Sequence, residues 1–349
     1  MKKKHKRKIK LIILTTLFLF TLILLIVLLK FYYYSFINNV KIIKDSEYIY
    51  IPTGSTYEDV LKILTENKIL KDVISFEILA ELKGYKKNVK PGRYKIKRGM
   101  NTNKIINLLK YGLQEPVSIK ISSFINPKYL SKYLGKNLEL NEQVIYNTLK
   151  NEEYAKKFGF TSENFWSMFL TGNYSIIWNI SLDSLFLFFY TEYKKFWNEE
   201  RKKKLEKLKL TDKEVIILAS IVQLETSKFD EMPRIAGVYY NRLKKNMLLQ
   251  ADPTIIAALG HISIKRITKE HLSIDSKYNT YKNKGLPPGP ICLPNRKVID
   301  AVLNLEFHNF LYFCAKTDGS GYHVFAENYY EHLKNAKKYW KKLNELNIK

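Results

Sequence analysis

The first thirty residues carry the feature that most limits how this chain can fold. Leu11–Leu29 is a run of 19 residues without a charged side chain, and the segment before it reads MKKKHKRKIK. A helix of that length is about 28 Å long, which is enough to cross the hydrocarbon core of a bilayer. The sequence therefore predicts one membrane-spanning helix at residues 11–30, after a basic tail at residues 1–10.

The charges around this run predict its orientation. Lys and Arg before the run favour a cytoplasmic N-terminus, which leaves the rest of the chain outside the cytoplasm. A cleaved signal peptide is the alternative, but the run is longer than the apolar part of a signal peptide and no small-residue cleavage site follows it. We expect a retained single-pass anchor in the cytoplasmic (inner) membrane, followed by a juxtamembrane linker at residues 31–46.

Charge and cysteine content limit the partners and cofactors. The chain has 59 Lys and Arg against 33 Asp and Glu, a net charge of +26, which favours anionic lipids, nucleic acid or acidic wall polymers. Its basic residues match no nucleic-acid recognition motif, so nucleic acid is not an expected partner. Cys292 and Cys314 lack the spacing of a metal site, and a disulfide between them is left open. No metal or cofactor is expected.

The stretch from residue 211 to 225 combines a helix start with a buried acid. Thr211 and Glu214 have the spacing of a capping box, and the apolar helix after them, at about residues 212–224, should be buried. Glu225 ends this helix on the same face as Ile221. A desolvated carboxyl has a raised pKa, which suits a general acid. The alternative is a helix-end glutamate that turns to solvent.

The next two predicted helices also carry polar residues. Asp230 or Glu231 can cap the first of them, and Asn241 and Arg242 lie beside its apolar stripe. This pair could hold each other or a neighbouring carboxylate, or it could donate to a polar ligand. Asp252 precedes Pro253, and a role as the N-cap of the second helix would by itself explain it.

Several short sequence blocks follow one another between residues 220 and 325. They are SIVQLET at 220–226, IAGVYYNRL at 235–243, LQADPT at 249–254, YNTY at 278–281, GLPPGPI at 285–291, LYF at 311–313 and GYHVF at 321–325. Their sequence and order resemble the YceG-like family, the endolytic murein transglycosylases. The resemblance is weaker before residue 211 but remains visible around residues 50–112.

The resemblance and the local patterns together predict the domains. The fold class is α+β, because antiparallel-looking strands accompany segregated helices. Residues 47–112 predict strand, helix, helix, strand, with Ser55 and Glu58 as a capping box. This order is similar to a LysM module, which implies glycan binding, and a packing spacer is the alternative. Residues 113–210 form a connecting part, and residues 211–345 form the catalytic region.

The connecting part departs from the family. The block Ser167–Tyr174 differs from the family's E-G-x-L-x-P-D-T-Y pattern at most polar positions. Leu182–Leu208 is predicted as one long, basic, aromatic-rich helix.

The resemblance implies a single-carboxylate mechanism. Glu225 aligns with the family's catalytic glutamate, which acts first as acid and then as base. Gln223 stands where the family usually has an acidic residue, and its amide can bind sugar hydroxyls. The resemblance also implies that Asn241, Arg242, Gln250, Asp252, Tyr278, Asn279 and His323 line the cleft. His323 is equally well explained as a histidine satisfied beside the core.

Three functions are consistent with these observations. The first is a membrane-anchored endolytic transglycosylase that cuts peptidoglycan glycan strands to 1,6-anhydro-MurNAc ends and thereby limits chain length. The second is a glycan-binding protein that has lost turnover. The third is a muramidase that uses water, which needs a second carboxylate such as Asp252 or Asp230. The resemblance also implies proximity to the wall-synthesis machinery.

Overall fold

A computed structural model describes residues 2–260 and 267–345. In chain order the helices are α1 (Lys2–Phe36), α2 (Tyr57–Glu66), α3 (Val73–Leu82), α4 (Thr102–Lys110), α5 (Pro127–Asn137), α6 (Glu142–Leu149), α7 (Glu152–Lys156), α8 (Leu182–Phe196), α9 (Glu199–Leu208), α10 (Asp212–Glu225), α11 (Met232–Lys244), α12 (Asp252–Ala258), α13 (Lys269–Leu272), α14 (Arg296–Leu303) and α15 (Tyr329–Glu345). The strands are β1 (Ser46–Ile51), β2 (Gly92–Lys97), β3 (Val117–Ile121), β4 (Gly172–Ile176), β5 (Tyr312–Ala315) and β6 (His323–Ala326). They form the two-stranded sheets β1–β2, β3–β4 and β5–β6, which confirms the α+β class.

The chain divides into two compact units. The first comprises the chain up to Val117 together with Ser175–Ile180, and the second comprises Ser118–Tyr174 and the chain from Ser181 onwards. The finer domain boundaries drawn from the sequence stay predictions.

The first unit contains the predicted order of strand, helix, helix, strand. β1 pairs antiparallel with β2, so that Ile49 lies opposite Tyr94, and α2 and α3 lie between these strands in the chain. Buried side chains from all four elements form one core with Tyr85 at zero exposure. The likeness to a LysM module stays a prediction. The capping box of α2 is made by Thr56 and Asp59, one residue later than expected.

α1 is the predicted apolar helix, and it is longer than expected. It runs 35 residues through Phe36, into the segment predicted as a linker. It is long and apolar enough to cross a membrane, and its central residues are exposed in the protein. Its length and composition are those that a membrane-spanning helix requires.

The second unit is organised around α10, which is apolar on nearly every face. Its residues from Val215 to Val222 are all buried, and α10 packs against α11 and α14. The capping box of Thr211 and Glu214 starts the helix as predicted. A helix buried on all sides fixes the position of whatever side chain ends it.

The predicted helix over Leu182–Leu208 is wrong, because two helices occupy this segment. α8 ends at Phe196 and α9 begins after Asn198, whose side chain accepts a hydrogen bond from the backbone N–H of Arg201 at 3.0 Å. Asparagine is a strong N-cap and a poor residue inside a helix. Most of the basic residues therefore belong to α9, and the aromatic stretch belongs to α8.

The disulfide left open between Cys292 and Cys314 does not form. Both thiols are free; Cys292 is buried and Cys314 is half-buried. The sulfur of Cys292 lies 3.6 Å from the backbone oxygen of Ser220 in α10, and Cys314 lies within β5. Burial raises the pKa of the Cys292 thiol to about 12, so it stays protonated.

Candidate active site

Glu225 is the last residue of α10, and its two oxygens have different surroundings. Oε1 accepts a 2.6 Å hydrogen bond from the hydroxyl of Tyr239 in α11. No hydrogen bond joins Oε2 to any residue in the part of the chain that the structure describes. The chain leaves the helix at Thr226 in an extended conformation, so the carboxyl group stands at the end of a buried helix.

Desolvation raises the pKa of Glu225 to about 7. The residue as a whole keeps some exposed surface, but protein atoms surround its carboxyl group densely. The hydrogen bond from Tyr239 opposes the shift, the charge of Asp252 adds to it, and the charge of Arg242 opposes it. The pKa of the Tyr239 phenol is raised well above its usual value by burial, so this group remains a donor.

A cavity of about 400 Å³ opens beside the carboxyl group of Glu225. α10, α11, β5, α15, the segment before α12 and the loop at Tyr281 all contribute to its wall. The lining residues are Glu225, Tyr239, Arg242, Leu249, Gln250, Asp252, Tyr281, Tyr312, Phe313, Tyr329 and His332. Aromatic rings occur there together with hydroxyl, amide and charged groups, so the wall offers both apolar faces and hydrogen-bonding groups to a ligand.

Arg242 is held at this cavity by backbone carbonyls. Its Nε donates to the oxygen of Leu311 at 2.6 Å and its Nη1 to the oxygen of Leu249 at 2.7 Å. The guanidinium also lies over the ring of Tyr312, 5.0 Å from its centre. These contacts fix a positive charge in the cavity wall, and burial lowers the pKa of the group.

Asp252 also lines the cavity, and it is not the cap expected from the sequence. Ala251 occupies the N-cap position of α12, and Asp252 is the first helical residue. Its Oδ1 accepts a hydrogen bond from the hydroxyl of Tyr281. The negative charge of Asp252 acts on Glu225 and contributes to its raised pKa.

Comparison with known proteins identifies the family. The model of the YceG-like family matches residues 49–338, most of the chain. This protein belongs to the YceG-like family. An endolytic murein transglycosylase of Bacillus subtilis is 30% identical over 322 residues, covering 86% of this chain and 87% of that protein. One of Streptococcus pneumoniae is 27% identical, covering 82% of this chain and 57% of that protein. The 2.6 Å crystal structure of a putative yceG-like protein from Listeria monocytogenes is 25% identical, with a TM-score of 0.56, and the match covers 83% of this chain and 98% of that one.

In this YceG-like protein, four residues expected from the sequence meet at one cavity: Glu225, Arg242, Gln250 and Asp252. Gln250 is held there by a left-handed backbone conformation, with φ of 52°, and its side-chain oxygen lies 3.5 Å from Nη1 of Arg242. The other five expected residues do not line the cavity. Each of them has hydrogen-bond partners elsewhere in the second unit.

Gln223 and Asn241 connect elements of the fold. Gln223 donates to Ser123 Oγ at 3.0 Å and accepts from the backbone N–H of Asn295. Asn241 donates to the backbone oxygens of residues 308 and 310, at 2.7 and 3.1 Å. Gly237, one turn earlier, permits this contact, because a Cβ there would lie 2.3 Å from the backbone oxygen of Glu306. These polar groups hold segments against α10 and α11.

Tyr278, Asn279 and His323 also have partners away from this cavity. The hydroxyl of Tyr278 donates to Glu163, at a second cavity. Asn279 is fully buried and donates to the backbone oxygens of residues 272 and 274. Nδ1 of His323 pairs with Glu231 at 2.7 Å. Thus Glu231 is not a side-chain cap of α11, and the interpretation of His323 as a satisfied histidine fits this geometry.

Sequence reasoning missed several residues of the wall, most of them aromatic. Tyr239 has the spacing of an apolar residue in α11, although its hydroxyl is a polar group on a buried ring. Tyr329 and His332 come from α15, which carried no signal beyond amphipathicity. Tyr312 and His332 stack with ring centres 5.2 Å apart. Nδ1 of His332 is buried without a hydrogen bond to any described residue.

The wall offers no obvious metal centre. Among residues 2–260 and 267–345, no group of three or more His, Cys, Asp or Glu side chains is arranged to hold a metal ion.

Proposed function

We propose that this protein is a membrane-anchored lytic transglycosylase that cuts peptidoglycan glycan strands internally, between MurNAc and GlcNAc. The observation that carries the proposal is Glu225, a desolvated carboxyl in the cavity wall with a pKa of about 7 and a hydrogen bond from Tyr239 at one oxygen. Such a group can both give and take a proton near neutral pH. The names of the relatives from B. subtilis and S. pneumoniae support the same activity.

In the first half of the reaction, Glu225 is the acid. It transfers the proton on Oε2 to the glycosidic oxygen, the bond between that oxygen and C1 of MurNAc breaks, and the GlcNAc side leaves as an alcohol. The hydroxyl of Tyr239 keeps donating to Oε1 and stabilises the carboxylate as it forms. Positive charge develops at the ring carbon, close to this new carboxylate.

In the second half, the same carboxylate is the base. It takes the proton of the MurNAc 6-hydroxyl, and the oxygen of that hydroxyl attacks C1 of its own ring. A 1,6-anhydro-MurNAc end forms and Glu225 is protonated again. The atoms of the substrate are all found in the two products, so no water is consumed.

The rest of the cavity wall suits a sugar chain. The amide of Gln250 and the hydroxyl of Tyr281 can bind sugar hydroxyls, and the rings of Tyr312 and Phe313 offer apolar faces. Arg242 supplies a fixed positive charge on one side of Glu225. Since its guanidinium is held by carbonyls, it needs no rearrangement when the strand enters.

A muramidase that uses water is the second candidate, because Asp252 lines the same cavity. In that reaction Asp252 would act as nucleophile or would activate the water, and the products would carry reducing ends. Asp230 is a weaker choice for this role, since it accepts hydrogen bonds from Tyr322 and does not line the cavity. The nature of the product ends separates the two mechanisms.

The anchor defines where the enzyme acts. The basic residues before Leu11 favour a cytoplasmic N-terminus, with the chain after α1 outside the cytoplasm. An enzyme held there meets glycan strands as they leave the wall-synthesis machinery. Internal cuts in such nascent strands would limit their length.

The test is the chemistry of the new ends. Purified full-length protein in detergent is incubated with isolated glycan strands, and the fragments are analysed by mass spectrometry beside the Glu225→Gln variant. We expect internal cuts with 1,6-anhydro ends, absent from the variant. Reducing ends would favour the muramidase, and bound strands without any cuts would indicate a glycan-binding protein.

A further inference from the structure

α3 carries apolar side chains on two opposite faces. Phe76 and Leu79 point into the core of the first unit, while Ile74, Ile78 and Leu82 are 65%, 44% and 73% exposed. The exposed three are spaced by four residues, so they form one stripe along the helix. We call this set the α3 stripe. Single exposed apolar residues are common, but a continuous stripe indicates a contact surface.

The α3 stripe lies beside the outer end of the apolar run in α1. Val27, Leu28 and Phe31 of α1 face Ile74 and Ile78 across a cavity of about 460 Å³. Val27 and Leu28 are near the end of the uncharged run, which closes at Leu29. The stripe therefore starts at the depth where the hydrocarbon core would end if α1 spans the bilayer.

An ion pair fixes α3 at this level. Nζ of Lys30, the first charged residue after the apolar run, lies 3.1 Å from Oδ1 of Asp72. The other oxygen of Asp72 accepts a 2.8 Å hydrogen bond from the backbone N–H of Ser75 and so caps α3. One carboxylate thus joins the start of α3 to α1, and the two helices cannot separate without breaking this pair.

We propose that the α3 stripe is a second membrane contact, which inserts into the outer leaflet beside α1 with a lipid acyl chain between the two helices. The inference rests on the proposed membrane anchorage of α1. Continuity with the lipid-facing surface of α1 favours lipid as the occupant, and the exposed Lys71 before α3 suits anionic headgroups. The first unit would then be held against the bilayer at two points.

The test places an environment-sensitive fluorophore on the stripe. Full-length protein carrying Cys314→Ser is labelled with a nitrobenzoxadiazole group at Ile78→Cys and reconstituted into vesicles of phosphatidylcholine and phosphatidylglycerol. Cys292 is fully buried and should not react. Val144→Cys on α6 is the matched control, because Val144 is 46% exposed. Leu22→Cys in α1 reports on the anchor itself.

We expect the label at residue 78 to emit at shorter wavelength and to lose most of its emission to lipids with a nitroxide high on the acyl chain. The label at residue 144 should emit as in water. If the label at residue 78 behaves like the label at residue 144, while the label at residue 22 is quenched by nitroxides near the bilayer centre, then α1 spans the membrane and the inference about the α3 stripe is wrong. If residue 22 is not quenched either, the anchorage fails with it. A blue-shifted but unquenched label at residue 78 would mean that a second copy covers the stripe, which also overturns the proposal.

Discussion

Two glutamates lie close together in the chain, Glu225 at the end of α10 and Glu231 at the start of α11, and protein shields the carboxyl groups of both from water. They differ in the groups that donate hydrogen bonds to their carboxyl oxygens. Glu231 is 6% exposed, and both of its oxygens face His323: the backbone N–H at 2.8 Å and ring Nδ1 at 2.7 Å. Glu225 lines a cavity, and among the described residues Tyr239 is its one side-chain donor, at Oε1. Only Glu225 has an oxygen through which a ligand could exchange a proton.

This difference shows that burial alone does not make an acid. Glu231 connects α11 to β6, and its hydrogen bonds are those of a structural group. The hydrogen bond from Tyr239 and the charge of Arg242 offset only part of the desolvation of the Glu225 carboxylate. The charged form is therefore disfavoured, and the pKa of Glu225 is raised to about 7. Substitutions at the two sites should therefore separate catalysis from stability.

The largest expected effect is on cleavage by Glu225→Gln. The amide keeps the shape and still accepts a hydrogen bond from Tyr239, but it cannot deliver a proton, so the rate should fall by roughly 10²- to 10⁴-fold. Glu231→Gln is the matched control and should retain cleavage per folded molecule. Release of fragments from glycan strands measures both. A normal rate for Glu225→Gln would move the acid to another residue.

The same variant should be more stable than the parent at neutral pH. Glu225 has a folded-state pKa of about 7 against an ordinary value of 4.5, so the folded protein binds more protons than the unfolded chain between these values. The free energy of unfolding therefore falls as the pH rises from 4.5 to 7. Because Gln does not ionise, Glu225→Gln avoids this loss, and we expect its free energy of unfolding to be higher by about 1–3 kcal/mol at pH 8. Denaturant unfolding at pH 5 and pH 8 tests this, since the gain at pH 5 should be only about a quarter of the gain at pH 8.

Glu231→Gln should act in the opposite direction. An NH₂ group would replace one of the oxygens that face the donors of His323, and a buried donor would lose its acceptor. We expect a loss of about 1–2 kcal/mol in unfolding free energy. Unfolding in urea measures it. A stabilised Glu231→Gln protein would contradict the contrast drawn between the two sites.

Helical patterns and capping residues in the sequence predicted the position of Glu225 at the end of a buried helix. α10 was predicted from a capping box and an apolar run, and Glu225 from its position at the end of that run. Residues of α11 were harder to interpret, because a polar side chain beside an apolar stripe can face either a ligand or another segment of the chain. Asn241 donates to the backbone oxygens of residues 308 and 310, whereas Arg242 donates to those of residues 249 and 311 and also lines the cavity.

The hydrogen bonds of Glu231 and part of the cavity wall depend on contacts between segments that are distant in the chain. The pairing of Glu231 with His323 joins residues separated by 92 positions, and α15 brings Tyr329 and His332 to the cavity. Local periodicity contains no information on such contacts. Asp252 shows the same limit, because its position before Pro253 fitted a cap while its actual partner is Tyr281.

A smaller effect is expected from removing the hydroxyl that holds Glu225. The hydrogen bond from Tyr239 lowers the pKa of Glu225, so Tyr239→Phe should raise that pKa further. Cleavage needs the protonated acid, and the alkaline limb of the pH–rate profile should move to higher pH by about 1 unit. Rates measured from pH 5 to pH 9 test it. A profile that moves to lower pH would show that Tyr239 does not stabilise the carboxylate.

Asp252→Asn should give the smallest effect, with the opposite sign. The charge of Asp252 contributes to the raised pKa of Glu225, so its removal should move the alkaline limb to lower pH by less than about 1 unit. The product ends should remain 1,6-anhydro, since the proposed reaction uses one carboxylate. A rate loss as large as that of Glu225→Gln, with reducing ends in the parent, would instead make Asp252 the second catalytic carboxylate. Because Asn keeps the size of the side chain and an oxygen that can accept from Tyr281, such a loss could not be attributed to a collapsed cavity.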